Sequence, residues 1–141
     1  MSDESLLTIE RVSKEMLAAF DGMGTMKWDG RFETVLIEFS SDDQKDVRVI
    51  LDRFFTQVWD ESSIAGVKGI VAEVNKYFGG IRGGQLIFTT DPEQDLIFFC
   101  AWWPWGNGSI VSIRFAPHIQ SLSDKKMENV VKQFQSFFNL V

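Results

Sequence analysis

The sequence predicts a single α+β domain, in which helices pack against a central, mainly antiparallel sheet of about five strands. Its length of 141 residues suits one domain. Apolar residues make up 45% of the chain, which supports a packed core without disulfides or a structural metal. Segments with helical spacing alternate with extended segments, in the order helix, two strands, one or two helices, three strands, helix. Residues 1–141 are therefore expected to form one domain.

The N-terminal part predicts a helix followed by a β-hairpin. Apolar side chains recur at helical spacing through residues 3–20, and Gly22 can take the left-handed conformation that commonly ends a helix. The Asp29-Gly30 pair is favoured in tight hairpins, because a type I′ turn needs positive φ at both central positions. We expect strands over 25–28 and 31–39, the second with side chains that alternate between two faces.

The middle of the chain predicts two helices. Residues 41–44 have the pattern of a capping box, and apolar residues follow at helical spacing as far as Val58. A second helix, capped by Ser62 or Ser63, is expected over 64–78. Two glycines inside it weaken it by about 1 kcal/mol each relative to alanine. The glycine pair that follows Phe78 ends this helix.

The rest of the chain predicts a three-stranded meander and a last helix. Every residue of the strand 96–103 is apolar, so both of its faces must be covered and it belongs in the middle of the sheet. Pro117 is expected to end the third strand. A cap at 121–124 begins a helix whose apolar stripe continues to Phe138. The three predicted strands are 85–90, 96–103 and 109–115, with turns at 91–95 and 105–108.

Charge and apolar patterning exclude several classes of protein. The net charge of −6, from 14 basic and 20 acidic residues, argues against binding to nucleic acid phosphates. The longest apolar run, from Leu96 to Trp105, is about half as long as a membrane span needs. The chain starts with acidic residues where a secretory signal would be positively charged. We expect a cytoplasmic protein that binds neither nucleic acid nor membrane.

Motifs that could support chemistry are incomplete. The glycine-rich segment 79–84 reverses the strand–loop–helix order of phosphate-binding loops, although Arg82 within it could contact an acidic group of a partner. The acidic residues of 91–95 start with calcium-loop spacing, but the later ligand positions are apolar. His118 has no second metal ligand nearby, and Cys100 has the apolar neighbours of a buried, inert thiol. We therefore expect no metal, no cofactor and no catalytic residue.

Three tryptophans near a hairpin tip are the most informative feature. Trp102 and Trp103 must take opposite faces of their strand, so these two indoles and that of Trp105 cannot all point inward. Exposed aromatic clusters mark recognition sites, and tryptophan is enriched among interface hot spots. Flanking helices could equally cover all three rings, so the sequence leaves recognition and burial open.

Adjacent phenylalanines predict a contact between subunits. Phe54 and Phe55, like Phe137 and Phe138, lie about 100° apart on a helix and reach one core only if its apolar face is wide. Some of this apolar surface is therefore available for a second copy of the chain. We expect a homodimer with these four residues as interface candidates.

Two functional hypotheses follow. The first is a non-catalytic protein-interaction module, a homodimeric adaptor or chaperone-like protein. The alternative is a small-molecule binder or enzyme with an aromatic-lined pocket between sheet and helices, where Arg114 could offer its charge to an anionic ligand. The candidate binding residues are Trp102, Trp103, Trp105, Arg82, Arg114 and His118, with Phe98 added in the pocket hypothesis.

The order of elements over residues 3–138 resembles that of the roadblock/LC7 domain, a dimerising scaffold. It is also similar to the acidic, dimeric chaperones of bacterial secretion systems, although those usually have three strands before the middle helix. The middle region 44–78 is longer than one helix of either fold requires. The resemblance rests on element order alone, and it implies a fold and a dimer without fixing a function.

Overall fold

The fold is built on a six-stranded antiparallel sheet, in a computed structural model that describes residues 3–105 and 107–140. The order of the strands is β1-β2-β6-β5-β4-β3. The α+β class is as predicted, with six strands in place of about five. The strands are β1 (Thr25–Asp29), β2 (Thr34–Ser40), β3 (Gln57–Trp59), β4 (Leu86–Thr89), β5 (Leu96–Trp105) and β6 (Ile110–Ile119). The helices are α1 (Asp3–Ala19), α2 (Gln44–Phe54), α3 (Glu61–Ile64), α4 (Ile70–Tyr77) and α5 (Asp124–Phe137), with a 3₁₀ turn at Ser41–Asp43.

The two longest strands, β5 and β6, form the middle of the sheet. They pair from Leu96 opposite Ile119 to Trp105 opposite Ile110, and residues 97–102 are buried on both faces. The prediction that the apolar strand lies centrally is therefore confirmed. Strand β6 continues past Pro117, which was expected to end it. Its pairing with β2 stops at Phe115, so the proline lies where β6 has only one neighbour and a missing N–H is tolerated.

Opposite faces of the sheet are covered in different ways. On one face, here called the core face, the ring of Phe115 packs against Phe20, which follows α1, and against Phe134 of α5. Helix α2 joins this layer through Arg48, whose guanidinium lies 5.1 Å from the centre of the Phe88 ring, and Phe55, which follows the helix, packs against the same ring. The other face, here called the pocket face, is covered by the short α4 and by the loop between β1 and β2.

The middle of the chain departs from the predicted helix that continues to Val58. Helix α2 ends at Phe54, and Phe55 is extended and buried. The N–H of Thr56 donates to the carbonyl of Thr89 at 3.1 Å, which joins the segment to the free edge of β4. The short strand β3 that results is the sixth strand. Pairing with β4 here overrides the helical spacing of the side chains.

The expected second helix over 64–78 is divided into α3 and α4. Gly66 and Gly69 both have left-handed φ values, 81° and 78°, which interrupt a right-handed helix. Asp60, in place of the expected serines, caps α3 by accepting the N–H of Ser63 at 2.7 Å. The capping box expected at 41–44 is also replaced: Ser40 caps the 3₁₀ turn, and α2 begins without a side-chain cap.

The environment of Cys100 and the character of the helices can be compared with the sequence analysis. Cys100 is fully buried on β5, as predicted, and burial raises the pKa of its thiol. None of the helices in the described part of the chain is long and apolar enough to cross a membrane.

Candidate functional site

The three tryptophans of the hairpin have three different environments. Trp102 lies on the core face, where its ring contacts Phe39 and Phe88, and it is 5% exposed. Trp103 lies on the pocket face and is partly buried. Trp105 is 49% exposed at the end of β5, and the following Gly106 of the expected turn lies outside the described residues. Burial therefore accounts for Trp102, and the other two indoles belong to the pocket face.

An ion pair anchors the pocket face beside Trp103. The Nε of Arg114 on β6 donates to a carboxylate oxygen of Asp29 at the end of β1, at 2.7 Å. The two side chains are only 9% and 12% exposed. A pair so shielded from water is costly to break, because removal of one partner leaves the other buried and uncompensated.

The ionised form of Asp29 is stabilised by its surroundings. Burial opposes ionisation, but hydrogen bonds from the Arg114 side chain and the backbone N–H of Arg31 outweigh it and lower the pKa of the carboxyl group. The N–H of Arg31 lies 2.9 Å from the second carboxylate oxygen. Asp29 therefore holds both Arg114 and the first residues of the β1–β2 loop.

The loop itself differs from the expected two-residue turn at Asp29-Gly30. Residues 30–33 separate the two strands, and the positive φ of 53° falls on Glu33. The hydroxyl of Tyr77 on α4 donates to the carbonyl of Phe32 at 2.6 Å and ties the loop to the helix. The aspartate hydrogen bond and this tether override the local preference for a type I′ turn.

Aromatic rings and a guanidinium group surround Trp103. The Arg114 guanidinium lies 4.3 Å from the centre of the indole ring. Phe32 and Phe78 approach the same indole edge-on, at centroid distances of 5.6 and 5.5 Å. The indole N–H of Trp103 is buried without an acceptor among the described residues, so the ring is held by these aromatic and cation–π contacts and not by a hydrogen bond of its own.

Ser112 on β6 connects Trp105 to this cluster. Its hydroxyl oxygen accepts a hydrogen bond from the indole N–H of Trp105 at 2.7 Å and another from Arg114 at 3.1 Å. The exposed indole is therefore held in place before any partner arrives. Such preorganisation lowers the entropy cost of binding.

These side chains line one pocket of about 330 Å³, here called the tryptophan–arginine pocket. It brings together four of the residues predicted from the sequence, Trp103, Trp105, Arg82 and Arg114. No local signal in the sequence pointed to Asp29, Arg31 and Phe32, because they reach the pocket only when β2 pairs with β6 and brings the β1–β2 hairpin beside it. The pocket is lined by Asp29, Arg31, Phe32, Phe78, Gly79, Gly80, Arg82, Gln85, Trp103, Trp105 and Arg114.

The glycine-rich side of the pocket offers no ring of free amides. The N–H groups of Gly79 and Gly80 donate to carbonyls of α4, and that of Ile81 donates to the Asn75 side chain. The N–H of Arg82 donates to the side-chain oxygen of Gln85 at 2.9 Å. A phosphate loop presents such groups to its anion, so the structure agrees with the rejection of that motif.

His118 lies in a second cavity of about 330 Å³, between α4, α5 and the β1–β2 loop. Burial lowers the pKa of this imidazole, although Glu73, Asp124 and Asp95 oppose the shift. Four carboxylates line the same cavity, and Phe32 separates it from the tryptophan–arginine pocket by lining both. The four are Glu33, Glu73, Asp124 and Glu128.

The residues proposed for a single ligand pocket do not come together. Trp102 and Phe98 lie on the core face, whereas Arg114 and His118 lie on the opposite one, as the pairing of β5 with β6 shows. Among the described residues, no group of three or more His, Cys, Asp or Glu side chains could hold a metal ion.

The phenylalanine pairs divide between core and surface. Phe55 and Phe138 are each 4% exposed and belong to the core of the chain itself. Phe54 and Phe137 are partly buried against that core. Phe54 also lines a groove of about 670 Å³ between α1 and α2.

No family model, curated protein or solved structure matches this chain. Function is therefore inferred from the geometry of the site.

The Asp29→Asn substitution tests the role of the ion pair. Asparagine keeps the shape and the acceptor for the Arg31 N–H, but it leaves Arg114 without its counter-charge. We expect a loss of about 2 to 4 kcal/mol in the free energy of unfolding at pH 7, measured by urea denaturation. The pKa of Asp29 is lower in the folded chain than in the unfolded chain, where it is ~4. The stabilisation that the ionised carboxylate provides is therefore complete above pH ~4 and is lost as the pH falls through the pKa of the folded state. The difference in the free energy of unfolding between the wild type and Asp29→Asn should therefore become smaller below pH ~4.

A second ion pair, between β1 and β2, provides the control. Lys27 and Glu38 approach to 3.2 Å, but their side chains are 61% and 35% exposed, much more than those of Arg114 and Asp29. The Glu38→Gln substitution should cost less than about 1 kcal/mol. If both variants lost the same free energy of unfolding, or if the loss in Asp29→Asn did not change with pH, the Asp29–Arg114 pair would not have this stabilising role.

Proposed function

We propose that this chain is a non-catalytic recognition module that captures a protein partner at the tryptophan–arginine pocket. One observation supports this most strongly: a half-exposed indole, fixed by its own hydrogen bond, stands beside two exposed arginines on one open pocket. Tryptophan and arginine are the residues most enriched among interface hot spots.

The apolar surface next to the pocket supports a protein as the partner. Ile110 lies directly opposite Trp105 in the β5–β6 pairing and is 46% exposed. The two side chains extend the pocket onto the end of the hairpin. A partner segment could therefore bury apolar surface there while a polar group enters the pocket.

The chemistry of the pocket supports binding over catalysis. The carboxylate that lines it, Asp29, is paired with Arg114, and its pKa is lowered. Asp29 is therefore poorly suited to accept a proton as a general base. Cys100 is buried within the sheet, and His118 faces the other cavity. A free thiol in this chain also fits the cytoplasmic location that forms part of the proposal.

We also propose a homodimer, with the groove between α1 and α2 as the contact. Its support is the partly exposed Phe54 in the groove, together with Val49 and Leu7, which are 63% and 64% exposed on the same two helices. Light scattering after gel filtration should give twice the 16.1 kDa mass of one chain. A mass of one chain at high micromolar concentration would contradict the dimer.

The Trp105→Ala substitution tests the recognition site. Peptides selected from a random displayed library against the wild-type chain should bind Trp105→Ala at least about tenfold more weakly, because a central indole is lost. The affinity is measured by isothermal titration calorimetry. The melting temperature should change little, since the ring is half exposed.

The matched control is Val58→Ala, which also removes an exposed apolar side chain but lies on β3 at the far edge of the sheet, away from the pocket. Its peptide affinity should equal that of the wild type. Selection that yields no binding peptide, or peptides that bind Trp105→Ala as tightly as the wild type, would refute the proposed site.

A further inference from the structure

We propose that the group recognised in the tryptophan–arginine pocket is a carboxylate, so the partner is an acidic peptide segment with an apolar neighbour. The inference rests on the proposed function and adds the chemistry of the ligand.

The pocket has an excess of positive charge. Three guanidinium groups and one carboxylate line it, and that carboxylate is paired with Arg114. Arg31 and Arg82 are exposed, and neither forms an ion pair among the side chains that the structure describes. Two charged donors therefore remain available to a negatively charged group.

The pocket already contains one carboxylate held by an arginine, the side chain of Asp29. Asp29 accepts hydrogen bonds from a guanidinium at 2.7 Å and from a backbone N–H at 2.9 Å. Arginine offers planar, paired donors that match the two oxygens of a carboxylate. Arg31 and Arg82 can hold a second carboxylate in the same manner.

The backbone favours this ligand over a phosphate. A phosphate site draws much of its strength from converging free amides, and the N–H groups of 79–82 are all bonded within the chain. The side-chain oxygen of Gln85 accepts from Arg82, which leaves its amide N–H₂ as an additional donor. Side chains alone therefore provide the donors.

The position of Trp105 predicts the neighbouring residue of the ligand. The exposed indole and Ile110 form an apolar surface at the edge of the pocket. A peptide that places its carboxylate between the arginines brings an adjacent apolar or aromatic side chain onto this surface. The chain as a whole carries a charge of −6 and repels acidic partners at long range, so the local positive pocket selects where such a segment binds.

The test uses the peptides selected against the wild-type chain. They should be enriched in Asp or Glu next to an apolar residue. A synthetic copy in which that acid is changed to Gln or Asn should bind about tenfold to hundredfold more weakly, since a charge-assisted hydrogen bond is lost. The Arg82→Gln and Arg31→Gln variants should each lose affinity for the acidic peptide and little for the amide peptide.

Lys45→Gln provides the matched control, because it removes the same charge from an exposed position on α2. Its affinity for the acidic peptide should equal that of the wild type. The two Arg variants should show the same preference, a larger loss for the acidic peptide than for the amide peptide. Thermal denaturation checks that each variant is folded.

The outcomes separate the two proposals. No selected peptide at all would refute the recognition function, and this inference with it. Peptides that need Trp105 but bind equally well with acid or amide, or that are unaffected by both Arg variants, would overturn the carboxylate alone. A phosphoserine copy that binds far more tightly than the glutamate peptide would also overturn it, in favour of phosphate.

Discussion

The ion pair between Asp29 and Arg114 determines how the pocket face is organised. It joins residues 85 positions apart in the chain and links the end of β1 to β6. Asp29 also holds the loop that follows it, which places Phe32 against Trp103. Asp29 also accepts the N–H of Arg31, and Arg114 also donates to Ser112. Because both charged groups have these additional hydrogen bonds, the buried pair stabilises one arrangement of the strands and the loop. The shape of the pocket follows from this contact.

The unequal covering of the sheet explains where a binding site can exist. Three helices cover the core face, and the aromatic ring of Phe115 contacts residues from both ends of the chain. The pocket face has the eight-residue α4, a four-residue loop and one side of α5 near it. Two cavities remain on that side, separated by Phe32. Trp102 and Trp103 show the consequence, since these neighbours in sequence pack in the core on one face and line a pocket on the other.

Local patterns in the sequence predicted most of the strands and the residues that they carry. Alternation along β5 predicted that Trp102 and Trp103 lie on opposite faces of the sheet, and the pairing of β5 with β6 shows that they do. Non-local pairing could not be predicted in the same way: β3 has helical spacing but joins β4, and Asp29 appeared only as a turn residue. The left-handed Gly66 and Gly69 divide a helix whose apolar stripe is continuous. In each of these positions tertiary contacts or backbone conformation overrode side-chain periodicity.

The proposed recognition depends on the preformed pocket beside Trp103 and Trp105, which would bind an acidic segment of a partner. The most direct measurement follows the indole N–H signals of the five tryptophans by NMR while a selected acidic peptide is added. We expect the signals of Trp103 and Trp105 to shift with saturation, while the signal of the core residue Trp102 stays unchanged. Binding that leaves the signals of Trp103 and Trp105 unchanged, or that shifts the signal of Trp102 as strongly, would rule out this pocket as the binding site.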